Sequence, residues 1–535
     1  MNFSLIFENN FKIIFPELFI IFTICFLLMY GVIYSSITIS TVSNYIGTSI
    51  NYTHKKLPPI LINNITLLSI YALIITTLLI KENPIPTMIG FNNTYTHSDF
   101  YGYIKIFVIL ATIALLFLLL GYIKTNKFYF YEYVILILLA LLGIIGIISA
   151  NDLITMYLAI EMQSLALYVL AASKKNSEYS SEAGLKYFIL GAISSGFILF
   201  GSSLIYGFTG TTNFEILTKL FCGFPVNFTE IISPSILLVN KGIIFGIIFI
   251  ISGLLFKLAA APFHMWSPDV YEGSPTIVTT FFVITPKIAI FTLLIKLLVI
   301  VFYDFIEIWQ QIIVFSAICS LLVGAFTALP QKRLKRLLAY SSITHVGFML
   351  IGLSTGTVEG IQALLIYIIG YMIMGVNIWS ILLCFEVNKS CESYESQNQS
   401  TQSNNRLNYL TDLSMLHVSN PLLAFTFTIA LFSLAGVPPL FGFFSKLFVL
   451  SAAVEVNMYS LALVGLLVSV LATFYYIKLI KIIYFEKIDR YYFYKNIDKE
   501  KSLILGISFA IILLFFIYPT PLFLFTHKLA LLISL

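Results

Sequence analysis

Residues 253–264 read Gly253-Leu254-Leu255-Phe256-Lys257-Leu258-Ala259-Ala260-Ala261-Pro262-Phe263-His264. A lysine lies here in the middle of an apolar run, and Pro262 beyond it removes a backbone hydrogen bond, which breaks or kinks a helix. Inside a membrane, irregular backbone is stable only where protein buries it or where it lines a wet cavity. The stretch therefore predicts a broken transmembrane helix built around Lys257.

A second stretch has the same construction. Residues 436–446 read Gly436-Val437-Pro438-Pro439-Leu440-Phe441-Gly442-Phe443-Phe444-Ser445-Lys446, so that a lysine again accompanies prolines within a long apolar run. Interrupted apolar segments in corresponding positions of two halves are typical of transporters with internal repeats. We predict such a repeat, with helices four to eight and nine to thirteen as its units.

The composition is that of a membrane protein with many spans. Of the 535 residues, 59% are hydrophobic and 10% are charged, whereas soluble domains average about 25% charged residues. Because one span needs about 20 apolar residues, hydropathy predicts an all-α polytopic membrane protein with about fourteen transmembrane helices.

These helices divide the chain into four parts. They are helices 1–3 (residues 1–130), a first repeat of helices 4–8 (131–301), a second repeat of helices 9–13 (309–483) and a C-terminal helix 14 (484–535). The second repeat includes a polar segment, 386–412, which reads as a disordered loop. Residues 81–102 read as an ordinary linker on the outer side.

Five charged residues interrupt the predicted spans: Glu161, Lys186, Lys257, Lys287 and Lys446. A charge at the centre of a membrane helix costs about 2.5–3.5 kcal/mol on insertion scales. Such residues mark proton or ion pathways by default. Lysines that extend to an interface are the alternative explanation, and we assign it to Lys241 and Lys296, which are nearer to helix ends.

Glu161 needs a buried counter-charge, for which Lys186 and Lys257 are the candidates. Pairing would keep both partners charged, and separation would let desolvation favour the neutral lysine. A lysine controlled in this way could take up and release a proton. A static buried ion pair is the alternative.

Two histidines also lie in or near predicted spans. His345 is inside helix ten, where we prefer a central proton relay to a hydrogen-bonded structural histidine. His264 lies two turns beyond Lys257, on the same face if the helix continues, and is either a relay or a helix-end anchor.

Redox centres are not expected in this chain. The five cysteines contain no C-x-x-C pair and the six histidines no ligand spacing, which excludes the usual motifs for iron–sulfur clusters and zinc. We therefore expect no cofactor here and assign any redox chemistry to partner chains. The net charge of +5 comes from loop lysines, and we expect no nucleic-acid partner.

Loop charges predict the orientation. Basic residues such as Lys332, Arg333, Lys335 and Arg336 alternate with acidic loops that carry Asp99, Asp152, Glu215, Glu307 and Glu359. The positive-inside rule places the basic loops in the cytoplasm or mitochondrial matrix, with both termini outside. The N-terminus lacks a signal or transit pattern, and the richness in Ile, Phe, Tyr, Asn and Lys favours an organelle-encoded protein.

Four segments resemble the subunit 2 family of NADH:ubiquinone oxidoreductase (respiratory complex I). They are Glu161–Phe188 (E-M-Q-S-L followed by S-E-A-G-L-K-Y-F), Lys257–Tyr271 (K-L-A-A-A-P-F-H-M-W-S-P-D-V-Y), Gln331–Gly347 and Gly436–Lys446. The resemblance spans roughly residues 130–480. It implies an antiporter-like fold with fourteen helices, two inverted five-helix repeats and broken helices seven and twelve.

The resemblance also implies a function. It assigns proton translocation to Glu161, Lys186, Lys257, Lys287 and Lys446, driven by NADH oxidation and ubiquinone reduction in other subunits. Those subunits would hold the FMN and iron–sulfur clusters, and neighbouring antiporter-like subunits and lipids would be the partners. The alternatives are a membrane subunit of a multisubunit sodium/proton antiporter and a purely structural membrane subunit.

Overall fold

The computed structural model describes residues 3–45, 59–83, 87–126, 130–174, 177–222, 234–385, 409–414, 416–486 and 497–534. Most of the predicted polar loop 386–412 lies outside these residues. Within them the chain is almost entirely helical, so the predicted all-α membrane fold is confirmed.

The helices before the first break are α1 (Phe3–Tyr45), α2 (Pro59–Lys81), α3 (Asp99–Asn126), α4 (Glu132–Ser149), α5 (Leu153–Ala171), α6 (Glu178–Thr209), α7 (Phe214–Phe221) and α8 (Pro234–Leu258). Those that follow are α9 (Trp266–Gly273), α10 (Thr276–Ile295), α11 (Ile306–Ala328), α12 (Leu334–Ser354) and α13 (Val358–Cys384). The last are α14 (Leu416–Ser419), α15 (Pro421–Ala435), α16 (Phe441–Glu455), α17 (Tyr459–Phe485), α18 (Lys499–Leu514) and α19 (Thr520–Ser534). A π-helical segment, Lys296–Val301, extends α10, and short 3-10 turns lie at Tyr303–Phe305 and Leu410–Leu413.

Twelve helices of the described residues are long and apolar enough to cross a membrane, and two shorter apolar helices, Pro421–Ala435 and Thr520–Ile533, accompany them. The predicted number of fourteen spans and the division into repeats stay predictions. Helical structure is expected throughout, because a helix satisfies all of its backbone hydrogen bonds internally where no water is available.

Two apolar segments are interrupted. Residues 259–265 separate α8 from α9, and Ala259 has a positive φ of 60°. Residues 436–440 separate α15 from α16, and Gly436 has a φ of 88°. A residue in the left-handed region ends a helix and lets the following N–H groups bond back to its last turn. The N–H of Ala260 thus bonds to the Leu255 carbonyl and that of Val437 to the Phe432 carbonyl, so each break caps the end of its helix.

The interior of the molecule is formed by α10, α12 and α13. Every residue of α10 is buried, and nearly all residues of α12 and α13 are buried as well. Helices that expose one face, such as α1 and α6, surround them. Side chains on the three central helices consequently lie away from lipid, where polar groups can be tolerated.

Close packing holds the outer helices against the interior. Helices α6 and α8 approach at Gly201 and Gly246, where a Cβ atom on either glycine would come within about 3 Å of the other's carbonyl oxygen. Small residues permit such backbone contact between membrane helices, where dispersion replaces the hydrophobic effect as the driving force. This packing fixes α8, and with it Lys257, beside α6.

Residues 81–102 are not the ordinary linker that the sequence predicts. They contain an antiparallel hairpin of β1 (Thr87–Gly90) and β2 (Tyr95–Ser98), and Tyr95 also pairs with Ala150. The turn places Phe91, Asn92 and Asn93 at positive φ, a conformation that asparagine tolerates better than most residues. The short strands escape hydropathy analysis because polar and apolar residues do not alternate regularly in them.

Candidate functional site

Lys257 lies in the last turn of α8, directly before the first interruption. Its Nζ donates a 3.4 Å hydrogen bond to the hydroxyl of Tyr168 and lies 5.8 Å from the centre of that ring. The side chain lines a narrow cavity together with Gln163, Ser164 and Pro286. The cavity therefore lies between Lys257, α5 and α10.

Tyr168 is held in place by α6. Its ring packs edge-on against Tyr187, with 4.7 Å between ring centres. A Cβ atom at Gly191 would overlap the Tyr168 hydroxyl, so the glycine leaves the room that the tyrosine needs. The hydroxyl is thereby fixed next to the Lys257 ammonium group.

The resemblance implies proton translocation through Lys257, so we expect Tyr168→Phe to slow it about two- to tenfold, because one hydrogen bond is worth about 0.5–1.5 kcal/mol. The ring, and therefore its packing against Tyr187, is retained. The measurement is the initial rate of NADH-driven acidification per assembled complex. An unchanged rate would show that the hydroxyl contact is unimportant for Lys257.

Glu161 lies on α5, half-buried, and its Oε1 is buried without a hydrogen-bond partner among the described residues. The carboxylate attracts Lys257 electrostatically without forming an ion pair with it in the structure. A static buried pair, the alternative from the sequence, is therefore not what the structure contains. A carboxylate near a lysine but not bonded to it can influence the lysine while leaving its proton accessible.

Lys186 does not pair with Glu161, contrary to one of the two pairings that the sequence allows. Its Nζ contacts Asp269 Oδ2 at 2.8 Å and Glu182 Oε1 at 2.7 Å, and its side chain is 42% exposed. Arg336 also reaches Asp269, at 3.4 Å. Asp269 lies on α9, after the first interruption, and no local sequence pattern predicts that it lies near Lys186. The role of Lys186 in proton translocation stays a prediction.

His264 does not share a helical face with Lys257. The helix ends at Leu258, so the 3.6-residue period on which that expectation rests does not continue to His264. The histidine lies in the interruption itself, buried, with Nδ1 unpartnered among the described residues. Its role as a relay stays a prediction.

Lys287 and His345 meet around Tyr371 in the centre of the molecule. Lys287 is 4% exposed, and its Nζ donates a 3.2 Å hydrogen bond to the Tyr371 hydroxyl. The ring of His345 lies 5.5 Å from the ring of Tyr371. One tyrosine of α13 thus contacts a lysine of α10 and a histidine of α12.

His345 has both ring nitrogens hydrogen-bonded. Nδ1 lies 2.8 Å from the Tyr367 hydroxyl and Nε2 lies 3.1 Å from the Tyr476 hydroxyl. A neutral imidazole donates through one nitrogen and accepts through the other, so the histidine links two hydroxyl groups. These bonds fit a structural histidine and equally a relay, so the role of His345 stays a prediction.

Lys446 lies on α16 and bonds across the second interruption. Its Nζ donates a 2.8 Å hydrogen bond to the carbonyl oxygen of Ala435, the last residue of α15, and it is 7% exposed. The C-terminal end of a helix carries partial negative charge, which favours a cation. A Cβ atom at Gly436 would come within 3.0 Å of the Lys446 side chain. The interruption thus supplies both the acceptor and the space for the lysine.

The arrangement is a set of basic groups, buried except for the half-buried Lys257, that contact tyrosine hydroxyls or, for Lys446, a backbone carbonyl. Its members are Lys257, Tyr168, Lys287, Tyr371, His345, Tyr367, Tyr476 and Lys446. We call these residues the central row. Hydroxyl groups both donate and accept, so they can pass a proton between basic groups. Sequence analysis missed the tyrosines, although Tyr367 and Tyr371 are four residues apart and so share one face of α13.

Lys296 is buried, which corrects the expectation that it extends to the membrane surface. It is 5% exposed, and Nζ bonds to Thr96 Oγ1 at 2.7 Å and to the Ala150 carbonyl oxygen at 2.6 Å. The hairpin that covers this end of α10 removes it from the interface. Lys241, by contrast, is exposed.

The sequence pattern of the family described as NADH:quinone oxidoreductase/Mrp antiporter, TM, matches residues 150–472. These residues include every member of the central row except Tyr476. The chain belongs to this family. It is 45% identical to a Marchantia polymorpha protein named NADH-ubiquinone oxidoreductase chain 2, over 99% of this chain and 100% of that one. It is 42% identical to NADH-quinone oxidoreductase subunit N of Pelagibacter ubique, over 96% and 98% of the two chains.

Solved structures of the family have the same fold. A chain of respiratory complex I from Thermus thermophilus matches with a TM-score of 0.70 and 25% identity, covering 94% of this chain and 98% of that one. A chain of the Mrp complex from Dietzia sp. matches with a TM-score of 0.73 at 18% identity, over 96% and 97%. The resemblance that the sequence motifs indicate is confirmed.

Proposed function

We propose that this chain is the proton-translocating membrane-arm subunit of complex I named subunit 2 or N in its relatives. The relatives align over nearly the whole of both chains, so the support extends beyond the matched family region. The observation that carries the proposal is the central row, which places Lys257 and Lys446 at the two interruptions and Lys287 and His345 in the buried interior. A purely structural subunit would have no use for several ionisable groups at this depth.

In this function the central row moves protons stepwise. Glu161 on α5 controls the charge of Lys257 at the first interruption. Lys287, His345 and Lys446 then carry the proton to the second interruption. Each repeat unit, residues 131–301 and 309–483, supplies one interrupted helix and one half-channel. Moving one proton against about 100 mV costs about 2.3 kcal/mol, which is comparable with a change of about two units in a lysine pKa.

The energy comes from partner subunits. NADH oxidation and ubiquinone reduction take place in other chains of the complex, which hold the FMN and iron–sulfur clusters, and this chain needs no cofactor of its own. Other membrane-arm subunits and lipids are its neighbours. We assign the chain to the mitochondrial inner membrane, with both termini and the β-hairpin on the intermembrane-space side, as the distribution of basic loops supports.

The first test is a native gel of detergent-solubilised membranes, stained for NADH dehydrogenase activity and analysed by mass spectrometry. We expect the chain in the large band that has this activity, because its partners perform the oxidation. Finding it only in a smaller, inactive assembly would contradict the proposal. That result would favour a subunit of an ion antiporter, the alternative that the fold match to the Mrp complex supports, in which pumping follows an imposed ion gradient and not NADH.

A further inference from the structure

A second group of charged side chains lies outside the central row, at the hairpin end of the molecule. Lys105 on α3 contacts Glu17 Oε1 on α1 at 2.8 Å and the Tyr95 hydroxyl on β2 at 2.7 Å. The Tyr95 hydroxyl in turn donates a 2.5 Å hydrogen bond to the same Glu17 oxygen. We call these three residues the outer cluster. Sequence analysis did not single out Glu17 or Lys105, because each lies near the beginning of its predicted span.

Lys296 brings the end of the helix that carries Lys287 next to the hairpin strand that carries Tyr95. It lies nine residues after Lys287 on the same helix and its π-helical extension, which corresponds to about 13 Å along the axis. Its Nζ bonds to Thr96, the hairpin residue next to Tyr95. The two neighbouring residues of β2 thus contact two different buried lysines, and the ammonium groups of Lys296 and Lys105 influence each other electrostatically.

The hairpin that forms this end is firmly attached. The carbonyl oxygen of Asn93 accepts hydrogen bonds from the side-chain amides of Asn151, at 3.1 Å, and Asn213, at 2.8 Å. The backbone N–H of Asn151 bonds to the Thr94 carbonyl at 3.0 Å. These bonds hold β2 across the ends of α4 and α7, so that Tyr95 and Thr96 have defined positions.

The depth of the outer cluster excludes an ordinary surface ion pair. Glu17 and Lys105 lie about 10 Å inside the ends of their spans, at 1.5 Å per residue, and they are 8% and 1% exposed. Yet Oε2 of Glu17 is buried without a hydrogen-bond partner among the described residues. A buried charge is normally retained with its hydrogen bonds complete. One oxygen of this carboxylate is therefore available to accept a proton.

The other titratable groups near this site are His97, Asp99, Tyr101 and Glu215. His97, in β2, has its pKa lowered by burial and by Lys105, and Glu17 and Asp99 act in the opposite direction. Tyr101 faces Lys296 with its ring, 4.6 Å from Nζ, and Glu215 attracts the same lysine. Burial, and next the Glu17 charge, raise the pKa of Tyr95 well above its usual range. Tyr95 therefore keeps its proton, and Glu17 is the acceptor of the cluster.

We propose that Glu17, supported by Lys105 and Tyr95, is an outward-side proton site, which Lys296 connects to the central row. An arriving proton forms an O–H bond at Glu17 Oε2, neutralises the carboxylate and weakens its hold on Lys105. Loss of that proton to water on the outer side breaks the O–H bond and restores the ion pair. This inference rests on the proposed function. It adds a release site in α1–α3, outside the region that the family pattern covers.

The test is Glu17→Gln in the assembled complex, with Glu307→Gln as the control. Glutamine retains the shape and the Oε1 acceptor but cannot take up the proton, and Glu307 is an exposed carboxylate that the loop charges predict on the same side of the membrane. We expect NADH-driven pumping per assembled complex to fall about tenfold. This is the factor that corresponds to a mismatch of about one pKa unit between the group that gives the proton and the group that receives it. A carboxyl band in redox-induced infrared difference spectra should also disappear. The Glu307 variant should change neither quantity.

Other outcomes separate this inference from the proposed function. Normal pumping and an unchanged infrared spectrum in Glu17→Gln, while Lys257→Ala pumps poorly, would overturn the inference and leave the proposed function intact. Normal pumping in both variants would overturn both. A smaller amount of complex with normal pumping per complex would make the cluster structural only. If Glu17→Gln does not assemble, Tyr95→Phe tests the support that the hydroxyl gives to Glu17, since it keeps the ion pair and removes the hydrogen bond to Glu17 Oε1. Slower pumping would then support the site and normal pumping would overturn it.

Discussion

Membranes that carry Lys257→Ala should assemble the complex but pump protons at least about tenfold more slowly during NADH oxidation, a factor equal to about one unit of proton affinity. Lys257 is the basic group at the first interruption, where the cavity beside α5 meets the central row. Alanine removes the only charge that Glu161 attracts on α8 within the described residues. Without that charge, no group there can take up a proton and pass it to Lys287.

The measurement is proton uptake and release by vesicles containing the complex, normalised to the amount of assembled complex on a native gel. Lys241→Ala is the matched control, because Lys241 lies on the same helix but is exposed. It should pump normally. Normal pumping in Lys257→Ala would remove this lysine from the mechanism, and poor pumping in both variants would point to a general effect on α8.

Lys287→Met should have an effect of similar size, at least about a tenfold loss of pumping. Methionine has nearly the length and volume of the lysine stem, so it fills the same buried space. The substitution removes the ammonium group that bonds to Tyr371. In the central row this group is the step between Lys257 and His345. The central row is then interrupted at its middle, and each half can only exchange protons with its own side.

The control for this substitution is Lys501→Met. Lys501 is also buried, 3% exposed, but it bonds to the Leu383 carbonyl oxygen and to Asp498, away from the central row. Its loss should reduce the amount of complex without changing the protons pumped per NADH oxidised. Equal effects of the two variants on that ratio would mean that burying methionine in place of lysine perturbs the complex generally, and the assignment of Lys287 would fail.

The contacts of the acidic and basic residues were the least predictable part of the site. Glu161 was visible as a charge within a span, but nothing in the sequence indicated that Lys186 would instead reach Asp269 on α9. Asp269 belongs to the segment after the first interruption. The direction that the chain takes after this interruption cannot be read from the sequence. The expectation that His264 shares a helical face with Lys257 was wrong for the same reason, because the 3.6-residue period applies only as far as the helix continues.

The membrane fold and the family could be predicted from the sequence alone. So could the presence of four basic groups within the spans, which are Lys257, Lys287, His345 and Lys446. Long apolar runs must form helices in lipid, and a charge within such a run is conspicuous because it is costly. Only the tertiary structure decided which groups touch. Tyr371 joins Lys287 to His345, and the hairpin buries Lys296 beside Thr96. Such contacts depend on how separate helices pack, and packing between distant segments has no periodic signal in the sequence.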